Sequence, residues 1–270
     1  ADRELLERIH ARQFLVRPRS FEYYVAPRPV PAFTPPDAAT LRALEGDLNE
    51  YFVRKRRGRT ARVFVHAKHD FVWFLVRHGE PFAREAVIEG DESKSAYFRP
   101  EKFDVLVYNP RVGEMRMHAE SRGVKDLYRT AFGLHVFGDP NYFSGKSKFT
   151  LEPLRTDGRD SLVCADVEGI EWVKLKEYHI HWGGAHGETE IRKADDIYAA
   201  LEARERDFPK GGRLLRASFL IKFADAKQPR TVTLCTGNRA QYKRDDDAEI
   251  LEAWLTARGF ITNGRAGADD

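Results

Sequence analysis

Three stretches of this chain repeat one order of elements: a strand, a short loop, a second strand and a helix. The first runs from Phe103 to Gly133, the second from Trp172 to Arg206 and the third from Leu214 to Gly259. A pattern that returns at such intervals predicts one supersecondary unit used more than once. Helices folding back onto one face of antiparallel hairpins give an α+β protein. The expected fold is α+β, with antiparallel β-hairpins each followed by a helix (repeated ββα units) and an N-terminal helical extension.

The remaining segments fill in that plan. Residues 2–14 carry Leu5, Leu6 and Ile9 at helical spacing, which predicts an amphipathic helix. Residues 26–36 hold five of the 13 prolines and predict an extended linker. Asp37 is a helix N-cap by residue type, and Leu41, Leu44, Leu48 and Phe52 form the apolar stripe behind it. Gly58 is the expected stop. From Arg62 to Glu120 no helical periodicity holds. Short runs rich in Val and aromatics, divided by turn residues, predict antiparallel strands. KFTLEPL and SLVCADV, at the start of the second half, read as two more. The domain reading is a helical and Pro-rich extension over 1–58, a β-rich ββα subdomain over 59–145, a second α+β subdomain with two ββα units over 146–262, and a flexible tail over 263–270.

Composition narrows the function classes. In 270 residues, 42% apolar with mean hydropathy −0.56, no run approaches the ~18 apolar residues of a membrane helix. No membrane partner is expected. The two cysteines, Cys164 and Cys235, lie in apolar surroundings without metal-ligand spacing. That usage suits a reducing, cytoplasmic location. Net charge is only +3, but residues 1–60 hold 12 Lys/Arg against 8 Asp/Glu. The excess is concentrated in Arg54, Lys55, Arg56, Arg57 and Arg59. A helix C-terminus attracts cations through its dipole, yet five basic residues in six positions exceed what capping needs. With Lys68 nearby, and Trp73 and Tyr97 on the following strands, the run suits phosphate contacts and base stacking. The leading expectation is a cytoplasmic binding or adaptor protein that contacts DNA or RNA.

Three other constellations carry chemistry. Asp104 lies on one strand, and Glu114-x-Arg116 on the next, between two helices. This order resembles the core of the PD-(D/E)xK nucleases. The resemblance implies a Mg or Mn ion held by Asp104 and Glu114, with a lysine to activate water. Arg116 stands where that lysine is expected and cannot share a proton, so Lys125 on the next helix becomes the candidate. His179 and His181 alternate onto one strand face and His186 follows in a loop, a workable metal-ligand set. FLVRHGEP, residues 74–81, resembles the phosphohistidine motif of the histidine phosphatases. That resemblance implies a nucleophilic role for His78 and a phosphate clamp in Arg77. The motif strand of that family feeds a helix, however, whereas Pro81 here leads into further strand and turn residues. The last class is a protein-assembly subunit without catalysis, whose partner meets an open sheet edge or the aromatic loop 132–143.

Overall fold

The computed structural model describes residues 19–26, 29–68, 70–242 and 247–262. The expected helix over 2–14 and the expected tail over 263–270 lie outside these residues, as do the side chain of Lys68 and part of the Pro-rich linker. The chain divides into two compact units, one of Tyr24–Ser144 and one of the described residues up to Tyr23 together with those from Gly145 onward.

In the first unit, helix α1 (Ala38–Arg54) opens on Asp37, whose carboxylate accepts from the Thr40 amide at 2.8 Å. Its Leu44, Leu48 and Phe52 are buried at the i, i+4, i+8 spacing of one helix face. Strands β2 (Arg62–Lys68), β3 (Phe71–Gly79), β6 (Glu101–Asn109) and β7 (Glu114–His118) lie antiparallel in the order β2-β3-β6-β7. Between β3 and β6 the chain makes a separate two-stranded ribbon, β4 (Ala83–Glu89) with β5 (Glu92–Phe98). Helix α2 (Arg122–Phe137) is capped by Ser121 and ends on Gly138 in the left-handed region. Alternation on the strands sends Phe74, Val76, Leu106, Tyr108, Met115 and Met117 into one core with Leu44, Leu48, Phe52, Val124, Tyr128 and Phe132 of the helices.

In the second unit β1 (Arg19–Val25) contributes its residues 19–22, paired with β12 (Arg239–Tyr242). The order continues through β11 (Arg230–Cys235), β10 (Arg213–Phe223) and β8 (Ile170–Gly183) to β9 (Glu188–Lys193) at the edge. One sheet face carries Ala217, Phe219 and Ile221, all buried. Trp254 of helix α5 (Ala248–Ala257) and Phe260 pack on Phe219, with ring centroids 5.4 and 5.5 Å away. Helices α3 (Pro153–Thr156) and α4 (Ile197–Glu202) are short.

This architecture corrects the expected ββα repeat with an N-terminal helical extension. Among the described residues, strand (40%) outweighs helix (25%), so the protein is mostly β. The hairpins are not separate units. β8 and β10 pair along ten positions, from Arg213↔His181 to Phe223↔Ile170, and fuse the second and third expected repeats into one sheet. β12 intervenes between the third hairpin and its helix. α1 is no extension, because its apolar face is part of the first core. KFTLEPL and SLVCADV are not strands either. Pro153 starts α3, and a 3-10 turn follows over Gly158–Leu162; proline fits a first helical turn because its missing N–H has no partner there.

Candidate nucleic-acid interface

The basic run is a helix terminus of unusual composition. Lys55 caps α1, Arg56 stands at φ +61°, and two hydrogen bonds close the turn: Arg56 N–H to Val53 O at 2.9 Å and Arg57 N–H to Phe52 O at 2.8 Å. This is the Schellman arrangement, whose left-handed position is normally glycine. An arginine there carries a conformational penalty of about 1–2 kcal/mol. Gly58, the expected stop, comes two residues later, also at positive φ.

The turn separates two kinds of cation. Arg57 folds back over the Phe52 ring and reaches Glu80 at 3.3 Å and Glu120 at 3.8 Å. Lys102 joins the same two carboxylates, 3.7 Å from Glu80 and hydrogen-bonded to Glu120. The Lys102 hydrogen bond, with Arg57 behind it, holds the Glu120 carboxyl below the usual carboxylate range. Arg54, Lys55, Arg56 and Arg59 are exposed, and none has a carboxylate partner among the described residues.

Arg99 ties this turn to the ribbon. Its guanidinium donates to the Arg56 carbonyl at 2.8 Å and the Glu80 carbonyl at 2.7 Å, and lies 4.2 Å from the centre of the Phe82 ring. Gly79 leaves room for it, since a Cβ there would meet Arg99 Cδ at 2.4 Å. Phe82 stacks on Tyr97, centroids 4.8 Å apart and planes 8° from parallel. Tyr97 remains 69% exposed. Beside the turn lies an open cleft of about 370 Å³, bounded by Tyr51, Lys55, Arg57, Pro81 and the first turn of α2.

Beneath the turn is a buried polar group that the sequence did not reveal. Asp104 Oδ2 accepts from Tyr128 Oη at 2.8 Å and lies 3.1 Å from His78 Nε2. The other ring nitrogen of His78 faces the Gly79 carbonyl at 3.1 Å, and the ring stacks on Phe52 at 4.4 Å. Burial, with Asp104 beside it, pushes the Tyr128 phenol well above its usual value. These groups are satisfied and closed to solvent, so they brace α1 and α2 against β3 and β6. No face of His78 is left for a phosphoryl group, and Pro81 leads into the ribbon.

The nuclease residues do not converge. Asp104 shares the helix-covered face with Leu106 and Tyr108, whereas Glu114 and Arg116 alternate onto the opposite face. They also sit at opposite ends of the hairpin: Glu114 pairs with Asn109, five residues and about 17 Å along the strand from Asp104. Lys125 lies on α2 one turn before Tyr128, and it is Tyr128 that reaches Asp104. This arrangement does not fit a Mg or Mn ion shared by Asp104 and Glu114. The histidines are likewise spent separately. His179 bonds Glu177 at 2.6 Å, His181 faces Thr189 at 3.4 Å, and His186 sits in the turn between β8 and β9. Among the described residues no group of three or more His, Cys, Asp and Glu is arranged to hold a metal. In the aromatic segment 132–143, Tyr142 and Phe143 are buried in the first core and Phe137 packs on it, while Leu134 is exposed.

The fold thus defines a mostly antiparallel-sheet protein backed by helices. No protein-family model matches the chain, and no curated protein matches it either. Among the described residues no helix is long and apolar enough to cross a membrane.

Proposed function

We propose that this protein is a binding or adaptor protein that contacts DNA or RNA through the turn at 54–59 and the adjoining ribbon. One observation carries the reading: four exposed cations without carboxylate partners among the described residues stand beside an exposed stacked aromatic pair, with Arg99 bonded to both parts. Cations of this kind release counterions from phosphates, and an open aromatic ring offers a base a stacking surface. The two together favour a single strand, whose bases are accessible. Arg57 belongs to the scaffold of the turn, and Arg54, Lys55, Arg56 and Arg59 are the phosphate contacts. Two free cysteines suit a reducing, cytoplasmic setting.

Fluorescence anisotropy with labelled single-stranded and duplex oligonucleotides tests the reading. Single strands should bind more tightly than duplexes, and the combined Arg54→Glu, Lys55→Glu, Arg56→Glu variant should bind at least tenfold more weakly. Equal binding by that variant would remove the proposal. A second reading, a protein-assembly part, draws on the ribbon tip, where Ile88 is 82% exposed. Light scattering across a concentration series separates the two: self-association lost in Ile88→Ser would favour assembly.

A further inference from the structure

The sheet face of the second unit opposite Ala217, Phe219 and Ile221 holds a polar hollow unrelated to the basic turn. Register places Ser218 of β10 beside Thr233 of β11 and Glu177 of β8, and Thr233 beside Gln241 of β12. Arg216, two residues before Ser218 on the same face, lies between Cys235 and His179. The main hollow measures about 290 Å³, and a second of about 110 Å³ adjoins it; Arg216, Thr233 and Gln241 line both. Ser218 and Thr233 are buried and share a hydrogen bond of 3.0 Å.

Arg216 is the anomaly. Its Nε is buried and unpartnered, and its guanidinium makes no hydrogen bond or ion pair among the described residues. Arg116, Arg129 and Arg258 also have a buried Nε without a hydrogen bond, but Arg116 has other interactions, Arg129 pairs with Asp126 at 3.8 Å and donates to the Phe143 carbonyl, and Arg258 reaches Asp166. The neighbouring Arg239 is engaged by Cys235 Sγ at 3.2 and 3.4 Å. Among the described residues, the one carboxylate lining the hollows, Glu177, is already held by His179 at 2.6 Å and Lys193 at 3.0 Å. A buried donor without an acceptor is unfavourable and calls for a partner. A guanidinium has five donors and no acceptor, so the missing partner must be an acceptor. Its planar fork fits two oxygens of an oxyanion, and the hydroxyl proton left over from the Ser218–Thr233 bond and the Gln241 amide add donors for the others.

We propose that this hollow binds a phosphate-class oxyanion, with Arg216 as its principal contact and Ser218, Thr233 and Gln241 as supporting donors. The volume suits inorganic phosphate or the terminal group of a small phosphomonoester. Calorimetric titration of the full chain in phosphate-free buffer tests this, with inorganic phosphate, glycerol phosphate, sulfate and malonate as probes and chloride at matched ionic strength as control. Saturable binding of phosphate or glycerol phosphate is expected, and the tighter of the two identifies the source. Arg216→Gln should reduce that affinity at least tenfold without lowering the melting temperature in chloride, because it removes an unsatisfied donor. Thr233→Val should weaken it several-fold and provides a second variant should Arg216→Gln misfold. No heat beyond the chloride control, tighter binding of malonate than of either phosphate, or unchanged affinity in Arg216→Gln or Thr233→Val would overturn the proposal. Oligonucleotide binding by Arg216→Gln should match that of the unaltered chain, so this site and the basic turn stand or fall separately.

Discussion

In Arg56 the proposed phosphate contact and stability are set against each other. Glycine at its left-handed position would relieve about 1–2 kcal/mol of strain and lose about 0.5–1 kcal/mol to the freer unfolded chain. Arg56→Gly should therefore raise unfolding free energy by about 0.5–1 kcal/mol in urea titrations while weakening oligonucleotide binding. A variant that gains nothing in stability would contradict the strain argument. Arg57 is expected to behave oppositely. Reversing its charge sets a third carboxylate against Glu80 and Glu120, so Arg57→Glu should destabilise by about 2 kcal/mol. The buried group beneath is more sensitive still. Asp104→Ala leaves His78 and Tyr128 without their acceptor and should cost about 3–5 kcal/mol, whereas Tyr128→Phe removes one hydrogen bond and should cost about 1–2 kcal/mol. Equal losses in the two variants would mean that Asp104 is not the hub.

Among the elements, the ribbon of β4 and β5 is the clearest addition to the framework. Both strands are mostly exposed, and a two-stranded hairpin contributes little stability alone. Gly79 and Glu101 are paired neighbours at its base, so residues 83–98 can be replaced by two glycines. The shortened protein should keep its circular dichroism spectrum and lose about tenfold in single-strand affinity, the scale of one stacked base; unchanged affinity would exclude Tyr97 as a platform. The strands themselves were legible, since runs such as ARVFVHA and DFVWFLVRHG became β2 and β3. Sheet order was not, because the β8–β10 pairing joins His181 to Arg213 across a helix, and no local pattern encodes that choice. The separation of Asp104 from Glu114 also needed the register, for alternation on each strand alone leaves open which faces coincide. The cations of the turn were visible as residue types. Their division into one ion-paired residue, Arg57, and four exposed ones depended on Glu80 and Glu120, which come from distant segments. Arg99 and Phe82 gave no signal beyond exposed types beside prolines.

Across the whole molecule, buried tyrosines link stability to alkaline pH. Desolvation raises Tyr108 and Tyr128 in the first unit and Tyr198 in the second above their ordinary value of 10.0. Above about pH 10 the unfolded chain releases phenolic protons that the fold retains. The unfolded state then binds fewer protons, so unfolding free energy falls as pH rises. The tyrosine contribution should be fully present below about pH 10 and fade above it, as urea midpoints between about pH 8 and 11 would reveal. A midpoint that rises through this range would contradict the burial of these phenols.

The central proposal, that the exposed cations of the α1 turn meet phosphates, is tested most directly by the salt dependence of oligonucleotide affinity. Four phosphate contacts on a single strand predict a plot of log K against log salt with a slope of about −3. The Arg54→Glu, Lys55→Glu, Arg56→Glu variant should flatten it to about −1 or less. A slope near zero in the unaltered chain, or the same slope in both proteins, would contradict the account.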